Sequence, residues 1–123
     1  MLKIFYVGIG GFIGSAFRYM VSLYATKLLG AQMPYGTLIV NFVGGIMIGF
    51  VMELSLSTNI SPELRLFLTT GIFGGFTTFS AFSYETIHLF SAGSYLLGSI
   101  NVILNVGLGL GGVLIGKVLA HIL

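Results

Sequence analysis

Asn41 is the one strongly polar side chain in an apolar run from Tyr35 to Met52, and an amide at membrane depth must hydrogen-bond something. Its partner is either another helix, which makes the bond structural, or an aqueous path to which the amide donates. Asn101 and Asn105 are four residues apart, so both amides share one helix face, where they either zip helices together or extend a polar track. The third group is Gly71 to Ser83, read as Gly-Ile-Phe-Gly-Gly-Phe-Thr-Thr-Phe-Ser-Ala-Phe-Ser. Gly71, Gly74 and Gly75, followed by Thr77 and Thr78, hold a helix badly, because glycine loses backbone entropy and hydroxyls compete for backbone hydrogen bonds. A helix broken in lipid leaves N–H and C=O groups that cost several kcal/mol each unless they are buried in protein or turned onto water or an ion. The break therefore marks a site, and Phe79, Ser80, Phe82 and Ser83 follow it directly, alternating ring and hydroxyl.

These groups suit ion binding rather than bond making. There is no cysteine, the two histidines do not cluster, and no nucleophile, base and metal can be assembled, so an enzyme is not expected. Arg18 falls inside an apolar span, where a guanidinium costs on the order of 3 kcal/mol unless it finds a partner or reaches headgroups. Both readings of Arg18 stay open. Glu85 and His88, three apart near the end of a span, form either a proton relay or an interfacial, solvated pair.

The elements that must position these residues are membrane helices. Of 123 residues, 56% are hydrophobic and only 7% charged, with a mean hydropathy of +1.08. A water-facing surface normally keeps charged residues near a quarter of the composition, so the chain is expected to be an all-α integral membrane protein. A span takes roughly 20 residues, which allows about four spans in a single transmembrane domain and little else. They are expected at about 5–29, 35–52, 62–90 and 95–119. The stretch from Glu53 to Arg65 reads as a loop, with Ser61 as N-cap, Pro62 at the first helical position and Glu63 in the first turn of span three. Gly10-x-x-x-Gly14 lets another backbone approach span one closely. With Lys3 alone before the apolar run and no small-residue cleavage site, the start of the chain reads as span one itself rather than a signal peptide.

The pI near 9.1 carries no basic stripe with it, so nucleic acid is not an expected partner. With four spans, Lys3, Arg65 and Lys117 lie on one side of the membrane and Lys27 on the other. So small a bias is a weak instruction under the positive-inside rule, and mixed insertion is permitted.

The chain resembles the small fluoride channels of the Fluc or CrcB family. The resemblance is carried by Gly14-Ser15-Ala16-Phe17-Arg18, by Gly36 to Gly44 with Asn41 at its centre, and most specifically by Gly74-Gly75-Phe76-Thr77-Thr78-Phe79-Ser80-Ala81-Phe82-Ser83-Tyr84-Glu85. It implies an antiparallel homodimer inserted in both orientations in the cell inner (plasma) membrane, two fluoride pores, passive export of fluoride from the cytoplasm for fluoride resistance, and a structural sodium ion. By the same resemblance, Asn41 would be the pore-lining amide and Phe79 and Phe82 the rings whose edges line the path. Gly74 and Thr77 would give backbone carbonyls to sodium, and Thr78 and Ser80 hydroxyls near the pore. Arg18 would sit at the mouth or support the fold. Asn101 and Asn105 depart from the family pattern, which often has tyrosine and serine there.

The physics of fluoride agrees with those roles. A small, strongly hydrated anion needs donors that replace water without trapping it, which Asn41, Thr78, Ser80 and Asn105 can supply, and aromatic rings offer a positive edge, although without the resemblance the ordinary reading of Phe79 and Phe82 is packing. Two rival classes remain on the sequence. A small multidrug-type exporter has similar length and span number, but needs a membrane-depth carboxylate that span one lacks. The other is a structural subunit of a membrane complex.

Overall fold

A computed structural model describes all 123 residues and contains helices and no strand. The elements are α1 (Leu2–Leu29), α2 (Tyr35–Ser57), α3 (Pro62–Leu66), a π-helical segment (Phe67–Phe73), α4 (Gly74–Phe76), α5 (Phe79–Ser91) and α6 (Tyr95–Ile122). Four stretches are long and apolar enough to cross a membrane: Leu2–Leu29, Tyr35–Ser57, Pro62–Ser91 and Tyr95–Ile122. The third is composite, built from α3, the π-helical segment, α4 and α5.

Small residues decide how the spans meet. A Cβ at Gly10 would lie 2.6 Å from the Phe67 carbonyl oxygen and 2.9 Å from the Gly71 Cα, and one at Gly14 would collide with the Ile72 carbonyl. The backbones of α1 and the third span therefore touch, which membrane helices exploit because close packing and not water expulsion holds them together. The same device joins α2 to α6, where a Cβ at Gly45 would lie 2.8 Å from the Gly109 carbonyl and one at Gly112 2.7 Å from that of Phe42.

Three features differ from the reading of the sequence. Glu53 to Ser57 is helical, extending α2 beyond Met52, so the loop shrinks to Thr58–Ser61. The added turn is held from α6: His121 Nε2 lies 2.7 Å and Lys117 Nζ 3.8 Å from the Glu53 carboxylate. α1 and α6 likewise run a few residues past the expected limits at their outer ends. The break expected between Gly71 and Ser83 is present but falls at Thr77 and Thr78, where the backbone turns extended, while Gly71, Gly74 and Gly75 stay helical. Gly71 and Gly75 serve packing, since a Cβ would lie 3.0 Å from the Gly10 Cα at the first and 2.7 Å from the Gly11 carbonyl at the second, whereas Gly74 is exposed. The expected start of the third span is present, with Ser61 Oγ accepting from the Leu64 N–H at 3.2 Å and Pro62 opening the helix.

Candidate functional site: a polar cleft at the helix break

The break is made by two threonines and closed by one asparagine. Thr77 (φ −85°, ψ 159°) and Thr78 (φ −153°, ψ 122°) are extended, and Thr78 then caps α5, its Oγ1 accepting from the Ala81 N–H at 3.1 Å. Asn41 of α2 pairs with the Thr78 peptide on both sides: its Oδ1 accepts the Thr78 N–H at 2.9 Å and its Nδ2 donates to the Thr78 carbonyl at 3.1 Å. A side-chain amide thus replaces the helical ladder where the ladder stops, as buried backbone in lipid requires. Gly44, one turn along α2, leaves room for the Thr77 methyl, with which any Cβ there would collide.

Arg18 has a partner within the chain. Its Nε donates to the Gly75 carbonyl at 3.0 Å, so the guanidinium supports the broken span and does not line the cleft. The carbonyls of Gly74 and Thr77 also leave the ladder. The Thr78 N–H that a continuous helix would send to Gly74 goes to Asn41, and the Ala81 N–H that would go to Thr77 goes to the Thr78 hydroxyl. Two freed carbonyl oxygens are the donors a hard cation takes, and unwound membrane helices use such groups, so these residues fit a sodium ion. Gly74 faces out of the single chain, so further oxygens must come from elsewhere.

Beside the break lies a cleft of about 370 Å³ lined by Asn41, Thr77, Thr78, Phe79, Phe82 and Asn105, with Val106, Gly109 and Leu110 forming the α6 wall. The structure therefore brings together five of the six residues expected at the pore. The sixth, Ser80, stands outside the lining, its Oγ 3.2 Å from Thr78 Oγ1. Phe79 and Phe82 meet edge to face, with ring centroids 5.5 Å apart at 65°. Phe79 is 78% exposed in the single chain, so packing within the chain does not explain its presence.

The asparagines of α6 form one line with Asn41. Asn41 Nδ2 donates to Asn105 Oδ1 at 2.9 Å; Asn105 Nδ2 donates to Asn101 Oδ1 and to the Asn101 carbonyl, each at 3.0 Å. Asn101 then donates to Thr86 Oγ1 at 2.9 Å. The hydrogen bonds show the zip, since the amides join three helices; only Asn105 reaches the cleft, and its Nδ2 is turned to Asn101, so it offers the cleft an oxygen and not the donor expected of it. Reading the sequence missed Thr86 and Gly109. Gly109 was recoverable, since it continues the spacing of four from Asn101 and Asn105, whereas nothing local marks Thr86.

Glu85 and His88 do not form a pair. Both line a separate hollow of about 350 Å³ with residues of the α1–α2 connection, His88 stacks on Tyr84 at 6.2 Å, and no hydrogen bond joins it to Glu85.

The sequence matches the family model described as CrcB-like protein, Camphor Resistance (CrcB), over residues 5–117. A fluoride-specific ion channel FluC from Clostridium novyi (strain NT) is 55% identical over 117 residues, covering 94% of this chain and 91% of the relative. A protein of the same name from Clostridium perfringens is 54% identical over 118 residues, covering 95% and 92%. Another, from Ruminiclostridium cellulolyticum, is 46% identical over 123 residues, covering 98% and 93%. The matched residues run from the first span to the last and include the broken helix with its asparagine clamp: the chain belongs to the CrcB-like family.

Proposed function

We propose that this chain is a fluoride-selective channel of the plasma membrane that lets fluoride leave the cytoplasm passively and so confers fluoride resistance. The observation that carries this reading is the cleft itself, where the donor amide of Asn41 and the rings of Phe79 and Phe82 meet without a carboxylate or a fixed cation among the lining residues. A cationic side chain would trap the anion and a carboxylate would repel it, while ring edges and amides do neither. The lack of a carboxylate also removes support from a proton-coupled multidrug-type exporter, and a structural subunit would need no such cleft.

The hydrogen bonds suggest how fluoride is admitted without being held. Both Asn41 Nδ2 hydrogens are already engaged, one with the Thr78 carbonyl and one with Asn105 Oδ1. An entering fluoride takes the second by displacing Asn105, so one hydrogen bond is exchanged for another. The net gain stays modest, as conduction needs. One of the Thr78 and Ser80 hydroxyls donates to the other, which leaves the second hydroxyl's hydrogen as a further donor near the rim.

The assembly in this reading is an antiparallel homodimer with sodium at its centre. Two carbonyls, from Gly74 and Thr77, are too few for a cation, and a second copy related by a two-fold axis doubles them. It also gives exposed Phe79 a neighbour. The test is purified protein in liposomes, with fluoride efflux measured against chloride efflux. Fluoride flux far above chloride is expected, and comparable rates for the two anions would refute selectivity.

A further inference from the structure

The line of amides has a single sense, fixed by backbone groups at both ends. At the break, the Thr78 N–H can only meet an oxygen of Asn41 and the Thr78 carbonyl only its nitrogen, so Asn41 turns its Nδ2 toward Asn105. At the other end, Thr86 Oγ1 donates to the Phe82 carbonyl at 2.8 Å and has only lone pairs left, so Asn101 must present its nitrogen. Asn105 therefore presents its oxygen to Asn41 and its nitrogen to Asn101. The line begins at Thr78, the cap of α5, and ends at Phe82 within α5. It closes a ring through α2 and α6.

α5 needs such a tie. The break separates it from the preceding helix, and Thr86 and Leu89 are its only buried residues. Asn101 to Thr86 is the one side-chain hydrogen bond between α5 and α6. Asn101 itself is 0% exposed and does not line the cleft.

We propose that Asn101 is a positioning residue: through Thr86 it fixes α5, and with it Phe79 and Phe82, against the α6 wall that carries Asn105. The inference rests on the reading of the cleft as the fluoride path. Misplacing one wall of such a path by a fraction of an ångström should lower flux without unfolding the protein, because reacting or binding geometry is more sensitive to displacement than packing is.

The experiment compares Asn101→Leu, Thr86→Val, the double variant and Thr86→Ser in liposomes, with fluoride efflux expressed per amount of folded protein and chloride efflux in parallel. Each of the first two should lower fluoride efflux by between about tenfold and a hundredfold. The double variant should fall no further than the worse single, since both break the same bond. Thr86→Ser, which keeps the hydroxyl, should conduct nearly as the unaltered protein does. Should Asn101→Leu fail to fold, the contrast of Thr86→Val with Thr86→Ser carries the test. Additive losses in the double variant, or unaltered efflux per folded protein in Thr86→Val, would overturn the inference alone. No fluoride efflux from the unaltered protein would overturn the proposed function and this inference with it.

Discussion

Replacing Asn41 by Asp exchanges one atom, Nδ2, for an oxygen, and the surrounding distances set the cost. The new oxygen would face the Thr78 carbonyl at about 3.1 Å and Asn105 Oδ1 at about 2.9 Å, while the bond from the Thr78 N–H survives. Each acceptor left without its donor costs about 1–3 kcal/mol, so the break loses about 2–6 kcal/mol before any repulsion. Fluoride meets a second penalty. An anion about 4 Å from a carboxylate at an effective dielectric near 20 is disfavoured by about 4 kcal/mol, on the order of a thousandfold in rate. Asn41→Ala is the matched comparison, because it removes all three hydrogen bonds but adds no charge. Liposome fluoride efflux and thermal unfolding, measured together on both variants, separate the two penalties. Asn41→Asp should be the slower channel even if Asn41→Ala is the less stable protein. An Asp variant that conducts as fast as the Ala variant would mean that the anion does not pass residue 41.

Phe79→Leu and Phe82→Leu remove the positive ring edges while keeping apolar bulk, so unfolding temperature should change little and fluoride efflux should fall steeply; full flux in both would reduce the rings to packing. Exhaustive sodium removal, or its replacement by a larger cation, should lower flux with little change in voltage dependence, and unchanged flux would count against the carbonyl site at Gly74 and Thr77. Gly14→Val should impair folding, because the first atom added already meets the Ile72 carbonyl; a normal yield of monodisperse protein would show that α1 can move away from the third span at little cost. Cysteines added after Leu123 and labelled in intact cells should be found on both sides of the membrane, and labelling confined to one side would exclude an antiparallel dimer.

Much of this molecule is legible from composition and local pattern. Apolar runs of span length set the helices, because lipid leaves backbone groups no partner outside their own helix. Ser61, Pro62 and Glu63 mark a helix start by capping chemistry that acts within one turn. Asn41 and Asn105 stand out because lipid makes polarity expensive, whereas Phe79 and Phe82 enter as pore candidates through the family resemblance; five of the six residues so expected line one cleft. What the tertiary structure decided is which partner each group chose. Gly71, Gly74 and Gly75 read locally as breakers, yet all three remain helical, and α1 packs against the missing side chains of Gly71 and Gly75. The actual break falls at Thr77 and Thr78, where Asn41, thirty-seven residues away, takes over the Thr78 hydrogen bonds. Arg18 reaches the Gly75 carbonyl, an acceptor freed by the break that no span-one neighbour could reveal. Thr86 became visible only when α6 laid Asn101 against it. Helix formation in lipid is a local balance, but a hydrogen bond between spans depends on register between distant segments, which the packing of Gly10, Gly14, Gly45 and Gly112 sets in three dimensions.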